Sequence, residues 1–533
     1  MRLRFLTMAA LSGALLGVAV LPTDKIPLGH WPVFFGFVPL WSMWLSAKEN
    51  PAVFRQGWIT QFLFTLVAFN WIAHTVHEFG FMPWPFALLV LVAFCAMANL
   101  YIPLAGVLWE KFFPESRYGE GARILALVVL TAIGERVFPM IFEWNLGYVW
   151  FYKQWPGFNF ADVIGFRGLS TASLAVNGLV LYAWRKKRRK ERWWPPLVAA
   201  SLFLMALNWA GAYRLMILPE PDRVLKVLMV QANIGNKQKH LADYGEKYRE
   251  AIIGKYLALT ERGLAENSAK PDFVLWPENA VPDVLVEPGL THGPAAELKN
   301  LLLEHRVALV TGGFGFNGSD AITNSIFLLS PEGKWATEPY QKTVLLPFGE
   351  YIPGARTFPW LKKVFPYVRD FGAGSGPRVS TLEGVRLGLQ ICYEGLFDWF
   401  ARSLAQGGAS VIVNVTNDSW YGTWEQPYQH FYMTLGRAIE NRLPLVRATN
   451  TGISGVGLAS GKILEMSPMN QEWTHLFEIP YSAVPVRTPF SRYGYWIVPA
   501  ILAALLLALI AMPFIEAGRP GFRVRGKERP SLQ

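Results

Sequence analysis

Seven apolar runs of near membrane length follow one another up to residue 213: 4–21, 31–45, 57–75, 86–108, 122–142, 168–184 and 196–213. A long polar stretch comes next, and an eighth apolar run covers 493–515. A helix needs roughly 20 apolar residues to cross a hydrocarbon core of about 30 Å, so the pattern predicts a bundle of spanning helices. The run 31–45 is short enough to be re-entrant. The run 4–21, with its basic start, also fits a signal peptide, but the further runs that follow at once favour a span. Composition agrees, since 52% of residues are hydrophobic, 22 are Trp and only 17% are charged.

The basic residues orient this frame. Arg2 and Arg4 start the first run, and Lys48 and Arg55 follow the second. Lys111, Arg117 and Arg123 flank the loop after the fourth, the basic run 185–192 follows the sixth, and 519–529 follows the eighth. With eight spans all these clusters share one side, which the positive-inside rule makes the cytoplasm. Both termini are then expected to be cytoplasmic, in a bacterial inner membrane, with 214–492 in the periplasm. The net charge of +11 sits beside apolar segments, a pattern that suits anionic lipid headgroups and not nucleic acid.

Between the last two spans the pattern changes. Strands are expected at 224–231, 273–276, 307–312, 325–329, 387–391 and 410–415, with helices near 244–266 and 432–441. Such alternation predicts an α/β domain. The expected division is a seven-helix membrane domain over 1–213 and a periplasmic catalytic domain over 223–488. A C-terminal transmembrane helix over 493–515 and a basic cytoplasmic tail over 516–533 complete it.

Three reactive residues stand where β-rich runs end or apolar runs begin. Leu387-Gly-Leu-Gln-Ile-Cys392 places a thiol at a strand end, followed by Tyr393 and Glu394. The other cysteine, Cys95, lies in an apolar run, so a zinc-type cluster is excluded. Phe273-Val-Leu-Trp276-Pro-Glu278 ends in a carboxylate beside an apolar ring, which would lift its pKa toward a base's working range. Tyr340-Gln-Lys342 offers an ammonium that could hold an oxyanion and lower a thiol's pKa. Each alone has a plain reading: a buried structural Cys, a loop Glu, a solvated Lys. Together they make a nucleophile, a base and an oxyanion holder. A Cys/His dyad with His430 is the competing arrangement.

These motifs resemble those of the carbon–nitrogen hydrolase (nitrilase) superfamily: Trp276-Pro-Glu278, Lys342 with Pro347-Phe348-Gly-Glu350, and Cys392-Tyr393-Glu394. Thr416-Asn-Asp-Ser-Trp420-Tyr421-Gly422, Gln429-His430 and Arg447-Ala-Thr-Asn-Thr-Gly-Ile453 add to the likeness. With its membrane frame, the whole chain resembles the apolipoprotein N-acyltransferase family of two-membraned bacteria. The resemblance implies an αββα sandwich and a ping-pong acyl transfer. The donor would be a phospholipid, the acceptor a diacylglyceryl-apolipoprotein, and neither metal nor soluble cofactor would take part. Cys392 would be the nucleophile, Glu278 the base and Lys342 the oxyanion holder, with Glu350, Tyr393 and Glu394 in support. One departure stands out: Asn233-Ile-Gly-Asn-Lys-Gln-Lys-His240 lacks the expected Pro and has His240 where the family commonly has Trp.

Both substrates being lipids, a segment dipping into the membrane interface is expected. Phe358, Trp360, Leu361, Val364, Phe365, Tyr367 and Phe371, interleaved with Lys362 and Lys363, suit that role, or cover the domain's own core. Trp276, Phe348, Trp360, Trp420, Tyr421 and His430 are the substrate-binding or lid candidates. The protein is expected to act as a monomer in the lipid bilayer. Two other readings compete: a membrane-tethered amidase acting on a small amide, for which one anchor would suffice, and a non-enzymatic receptor, against which the intact Glu278/Lys342/Cys392 set argues.

Overall fold

The computed structural model describes residues 2–22, 29–46, 52–242, 245–285, 293–318, 321–364 and 368–517. All eight apolar runs are helical in whole or in part. Among the described residues, length and composition let Trp84–Phe112, Pro156–Arg188, Trp194–Met216 and Pro489–Ile515 cross a membrane. Val53–Ala68 and Trp71–Glu78 add a fifth crossing if that bent pair is one span. The run 31–45 folds as two short pieces, Trp31–Phe34 and Val38–Trp44. The basic cluster at 519–529, and Phe365 and Tyr367 of the expected interfacial segment, lie outside the described residues.

Small residues let these helices approach closely. A Cβ on Gly13 would fall 2.4 Å from the Thr60 carbonyl oxygen, so Arg2–Ala19 packs backbone to backbone on Val53–Ala68. Outward faces carry exposed apolar side chains such as Leu89, Leu202, Trp209 and Leu507, as a lipid-facing surface requires. The long helix Ala161–Arg188 relates the two parts of the molecule. Near its start Asp162 pairs with Arg442 of the polar domain at 2.9 Å and with Arg214 at 3.0 Å. Near its other end Arg185 pairs with Glu120 and donates to Ser46 Oγ at 3.1 Å. The basic cluster and the polar domain therefore sit at opposite ends of one helix.

The polar domain has twelve strands among the described residues: β1 (Arg223–Gln231), β2 (Phe273–Leu275), β3 (Ala308–Phe316), β4 (Ile322–Leu329), β5 (Tyr340–Gln341), β6 (Val379–Leu382), β7 (Val385–Ile391), β8 (Val411–Thr416), β9 (Leu445–Thr449), β10 (Gly455–Gly457), β11 (Ile463–Met466) and β12 (Trp473–Tyr481). They form two six-stranded sheets, ordered β12-β1-β2-β3-β4-β5 and β11-β10-β9-β8-β7-β6. The runs β1-β2-β3 and β7-β8-β9 are parallel. Their strands are buried on both faces and read as near-continuous apolar runs, Val411-Ile-Val-Asn-Val-Thr416 being buried throughout. Glu246–Glu266 packs on β1 and β12, with Gly293–His305 against it. Asp398–Gln406 packs on β7, and Gln426–Asn441 on β9 and β10. Sheet contacts β1 to β9 and β4 to β7 close an αββα sandwich of the nitrilase type.

Gln426–Asn441 also packs against Ala161–Arg188, so every residue of it but Tyr428 and Tyr432 is buried. It caps a break in the membrane domain. Val53–Ala68 and Trp71–Glu78 meet at 59°, which frees a backbone carbonyl at the bend. Such a group needs a new partner inside the protein. Gln429 Nε2 donates to the Ala68 carbonyl at 2.9 Å while its Oε1 accepts from Trp71 Nε1 at 3.1 Å. The bend carries Phe79 onto Trp420, ring to ring at 3.9 Å.

Candidate active site

The parallel strands point their carboxyl ends one way, and open α/β sheets use that edge for chemistry. Glu278 follows β2, Cys392 follows β7, and Asn417 with Asp418 follows β8. Lys342 comes directly after β5, its backbone N–H bonded to the Asn324 carbonyl at 2.8 Å.

Four polar side chains form one buried cluster. Lys342 Nζ donates to Glu350 Oε1 at 2.8 Å and stands 3.5 Å from Glu278 Oε1. Asn324 Nδ2 bridges the same two carboxylates, at 2.7 Å to Glu278 and 3.0 Å to Glu350. The other oxygen of Glu350 accepts the Leu346 N–H at 2.9 Å. Burial lifts Glu278 above the usual carboxylate range and Glu350 adds to that, against the pull of Lys342. For Lys342, burial works against the charge, but Glu350 and Glu278 outweigh it and hold the ammonium protonated. Asn324 was not among the expected site residues. Its signal was available, because Thr323-Asn-Ser325 interrupts an otherwise apolar strand.

Cys392 stands at φ +49° on the turn Cys392–Leu396, a region a side chain with a Cβ rarely enters and which costs about 1–3 kcal/mol. Strain of that kind persists only where neighbours fix it. Here Asn414 Nδ2 and His430 Nε2 each lie 3.4 Å from the Cys392 carbonyl oxygen. The residue is 6% exposed. Burial and then the charge of Glu278 push it well above its ordinary pKa, with Lys342 opposing. It therefore rests as a thiol and needs a base.

Glu394 ties the two halves of the site together. Its Oε1 accepts from Tyr340 Oη at 2.7 Å and from the Thr343 and Val344 N–H groups at 2.6 and 3.0 Å. Its Oε2 accepts the Ile391 N–H at 2.8 Å. The segment after Lys342 is thereby fixed to the strand end before Cys392. Tyr393 reaches the other way, its hydroxyl donating to the Ile141 carbonyl of the membrane domain.

Several expectations need correcting. Trp276 is fully buried, stacks on Tyr256 at 5.0 Å and donates to Thr260 Oγ1, so it belongs to the core and not to the substrate path. His430 is buried too. Its Nδ1 meets Asp418 Oδ1 at 2.9 Å, and Asp418 Oδ2 accepts from Arg447 at 2.7 Å. It meets the backbone carbonyl of Cys392, which is support and neither a lid nor a dyad contact. Tyr421 packs edge-on to Trp71 at 5.4 Å, between the two domains. Phe348 and Trp360 are 48% and 58% exposed. The side chain of His240 lies outside the described residues.

A cavity of about 340 Å³ opens on this cluster. Glu278, Glu350, Asn324 and Trp420 line it from the polar domain, and Phe79 and Phe81 from the membrane domain. A carboxylate held ready as a base, a fixed ammonium and a strained thiol can together attack an ester or amide carbonyl.

Two family models match the chain. The family described as carbon-nitrogen hydrolase matches residues 226–477, and the apolipoprotein N-acyltransferase N-terminal domain matches residues 12–179. The apolipoprotein N-acyltransferase of Bdellovibrio bacteriovorus is 40% identical over 501 residues, covering 92% of this chain and 90% of that protein. That of Geobacter metallireducens is 31% identical over 476 residues, covering 87% of each. A carbon-nitrogen hydrolase from Helicobacter pylori superposes with a TM-score of 0.36 at 17% identity, covering 56% of this chain and 95% of that one.

Proposed function

The chain belongs to the apolipoprotein N-acyltransferase family, and from that premise we propose that it carries a fatty acyl chain from a membrane phospholipid to the α-amino group of a diacylglyceryl-cysteine through a thioester on Cys392. Glu278 takes the proton from the Cys392 thiol as sulfur attacks the donor's ester carbonyl. Lys342 holds the oxyanion of the tetrahedral intermediate. The intermediate collapses, Glu278 returns the proton to the leaving glycerol oxygen, and a lysophospholipid departs. In the second half the acceptor amine attacks the thioester, Glu278 accepts its proton, and Cys392 leaves as thiolate to be reprotonated. Glu350 and Asn324 keep Lys342 and Glu278 in register throughout.

The observation that carries this reading is the Glu278–Lys342–Glu350 cluster, whose charges act on a strained, buried thiol and whose two carboxylates line a cavity one wall of which comes from the membrane domain. A small polar amide needs no such wall. A lipid needs its reacting ester delivered at the membrane surface and its thioester kept from water, a task for the exposed segment around Phe358 and Trp360. The frame consistent with the basic clusters has eight crossings, cytoplasmic termini and the sandwich in the periplasm. The protein acts as a monomer. The test is a transfer assay with purified protein, phospholipid and a diacylated lipopeptide. Triacylated peptide and lysophospholipid in equal amounts support the reading. Cleavage of small amides with no lipid transfer favours the tethered amidase instead.

A further inference from the structure

The cavity holds charges that the acyl-transfer chemistry does not use. Beyond the cluster, its charged lining residues are Lys239, Arg369 and Glu78. Lys239, half-buried on the helix Asn236–Ala242, donates from Nζ to the backbone carbonyl of Glu278 at 3.3 Å. That bond uses one of the three ammonium donors, so others remain for a ligand even with the Glu278 carboxylate nearby. Arg369 stands at the rim with its guanidinium over the Phe314 ring at 5.2 Å, and Phe314 itself lines the cavity. Glu78 lies on the membrane-domain side with Phe79 and Phe81.

Resting on the acyl-transfer reading, we propose that Lys239 and Arg369 form the subsite for the phosphate of the acyl donor. A glycerophospholipid carries its phosphodiester across the glycerol unit from the ester that reacts. With that ester carbonyl at the Glu278–Lys342 cluster, the phosphate falls within the same cavity. Guanidinium and ammonium are the groups that bind phosphate oxygens strongly. The cost of holding Lys239 in place agrees: burial pulls its pKa down to about 8 in spite of Glu278, and a bound anion reverses that penalty.

The test uses the full-length protein in detergent micelles and compares acylation of Cys392 by two donors. One is dipalmitoyl phosphatidylglycerol, and the other is p-nitrophenyl palmitate, which has no phosphate. The readout is the ratio of kcat/KM for the phospholipid to that for the phosphate-free ester. Lys239→Met and Arg369→Met are each expected to lower this ratio by roughly tenfold or more, the worth of one charge-assisted hydrogen bond. Lys239→Arg and Arg369→Lys are expected to restore most of it. A ratio that stays well within tenfold of wild type in both Met variants overturns the subsite. So does an equal loss with both donors, which makes Lys239 only a brace for the Glu278 loop. If Lys239→Met does not fold, Arg369→Met at the exposed rim decides alone. Wild type that is acylated by the ester but not by the phospholipid refutes the underlying acyl-transfer reading instead.

Discussion

Replacing Glu394 with Ala tests whether one carboxylate registers the nucleophile against its oxyanion holder. The substitution removes the acceptor of four hydrogen bonds, from Tyr340, Thr343, Val344 and Ile391. Thr343 and Val344 are half-buried, so water can replace part of the loss there. Ile391 and Tyr340 are 0% and 2% exposed; the Ile391 N–H is left without a partner, and the Tyr340 hydroxyl keeps only Thr343 Oγ1 at 3.4 Å. An unsatisfied buried donor costs about 1–3 kcal/mol, and the cavity left by the missing side chain adds to it. The expected total is about 3–5 kcal/mol. At roughly 2–4 °C per kcal/mol for a domain of this size, Tm should fall by about 10 °C. Glu394→Gln keeps one acceptor but faces an N–H against another, so it should show about half the effect. The rate of Cys392 acylation, followed by quenched-flow mass spectrometry at a temperature where the variant is folded, should fall by about a hundredfold, because an ångström of misplacement has that effect. A Tm within a degree or two of wild type, or an unchanged acylation rate, refutes the tie.

Other consequences can be checked in parallel. The Cys392 thiol sits high and Glu278 above the normal carboxylate range, so kcat/KM for acylation should rise with pH as Glu278 ionises. That limb should lie above about pH 4.3 and vanish, with activity falling at least a thousandfold, in Glu278→Gln. His430→Gln should retain acylation within about tenfold, since His430 meets only the backbone of Cys392, whereas a Cys/His dyad demands a loss of general-base catalysis of about 10²–10⁴-fold. Burial pushes Asp418 up, but Arg447 and His430 outweigh it and hold it below its ordinary range. Its contribution to stability is therefore full above the unfolded value of about 3.9 and lost as pH falls below it. The Tm gap between wild type and Asp418→Asn should be wide at pH 7 and close in acid. Arg442→Met strips one partner from buried Asp162, which keeps Arg214, and leaves the Asn159 and Ala459 acceptors unfilled; it should destabilise by about 1–3 kcal/mol, seen as earlier thermal unfolding.

The strand ends were legible because the apolar runs 273–276 and 387–391 break off just before Glu278 and Cys392. Helical content in the apolar runs was legible for the same compositional reason. The bend after Ala68 was not, since hydrophobicity runs straight through it and the partner that permits it, Gln429, lies far along the chain. The pairing of β1 with β12 was likewise invisible, because Arg223 opposite Tyr481 is a contact that no local pattern encodes. Trp276 was misassigned because its place beside Glu278 in the motif does not say where its ring goes, and the Tyr256 and Thr260 that hold it lie on a helix earlier in the chain. Glu394 could be marked as important from its motif, but its work is done on three backbone N–H groups and a phenol, and backbone partners leave no trace in side-chain identity.

The central claim is the thioester. Purified protein should be incubated with phospholipid alone and its intact mass measured, wild type beside Cys392→Ala. The account predicts one fatty-acyl increment on wild type, none on the variant, and its discharge when a diacylated lipopeptide is added. An increment on both proteins, or on neither while lipid transfer proceeds, would contradict it.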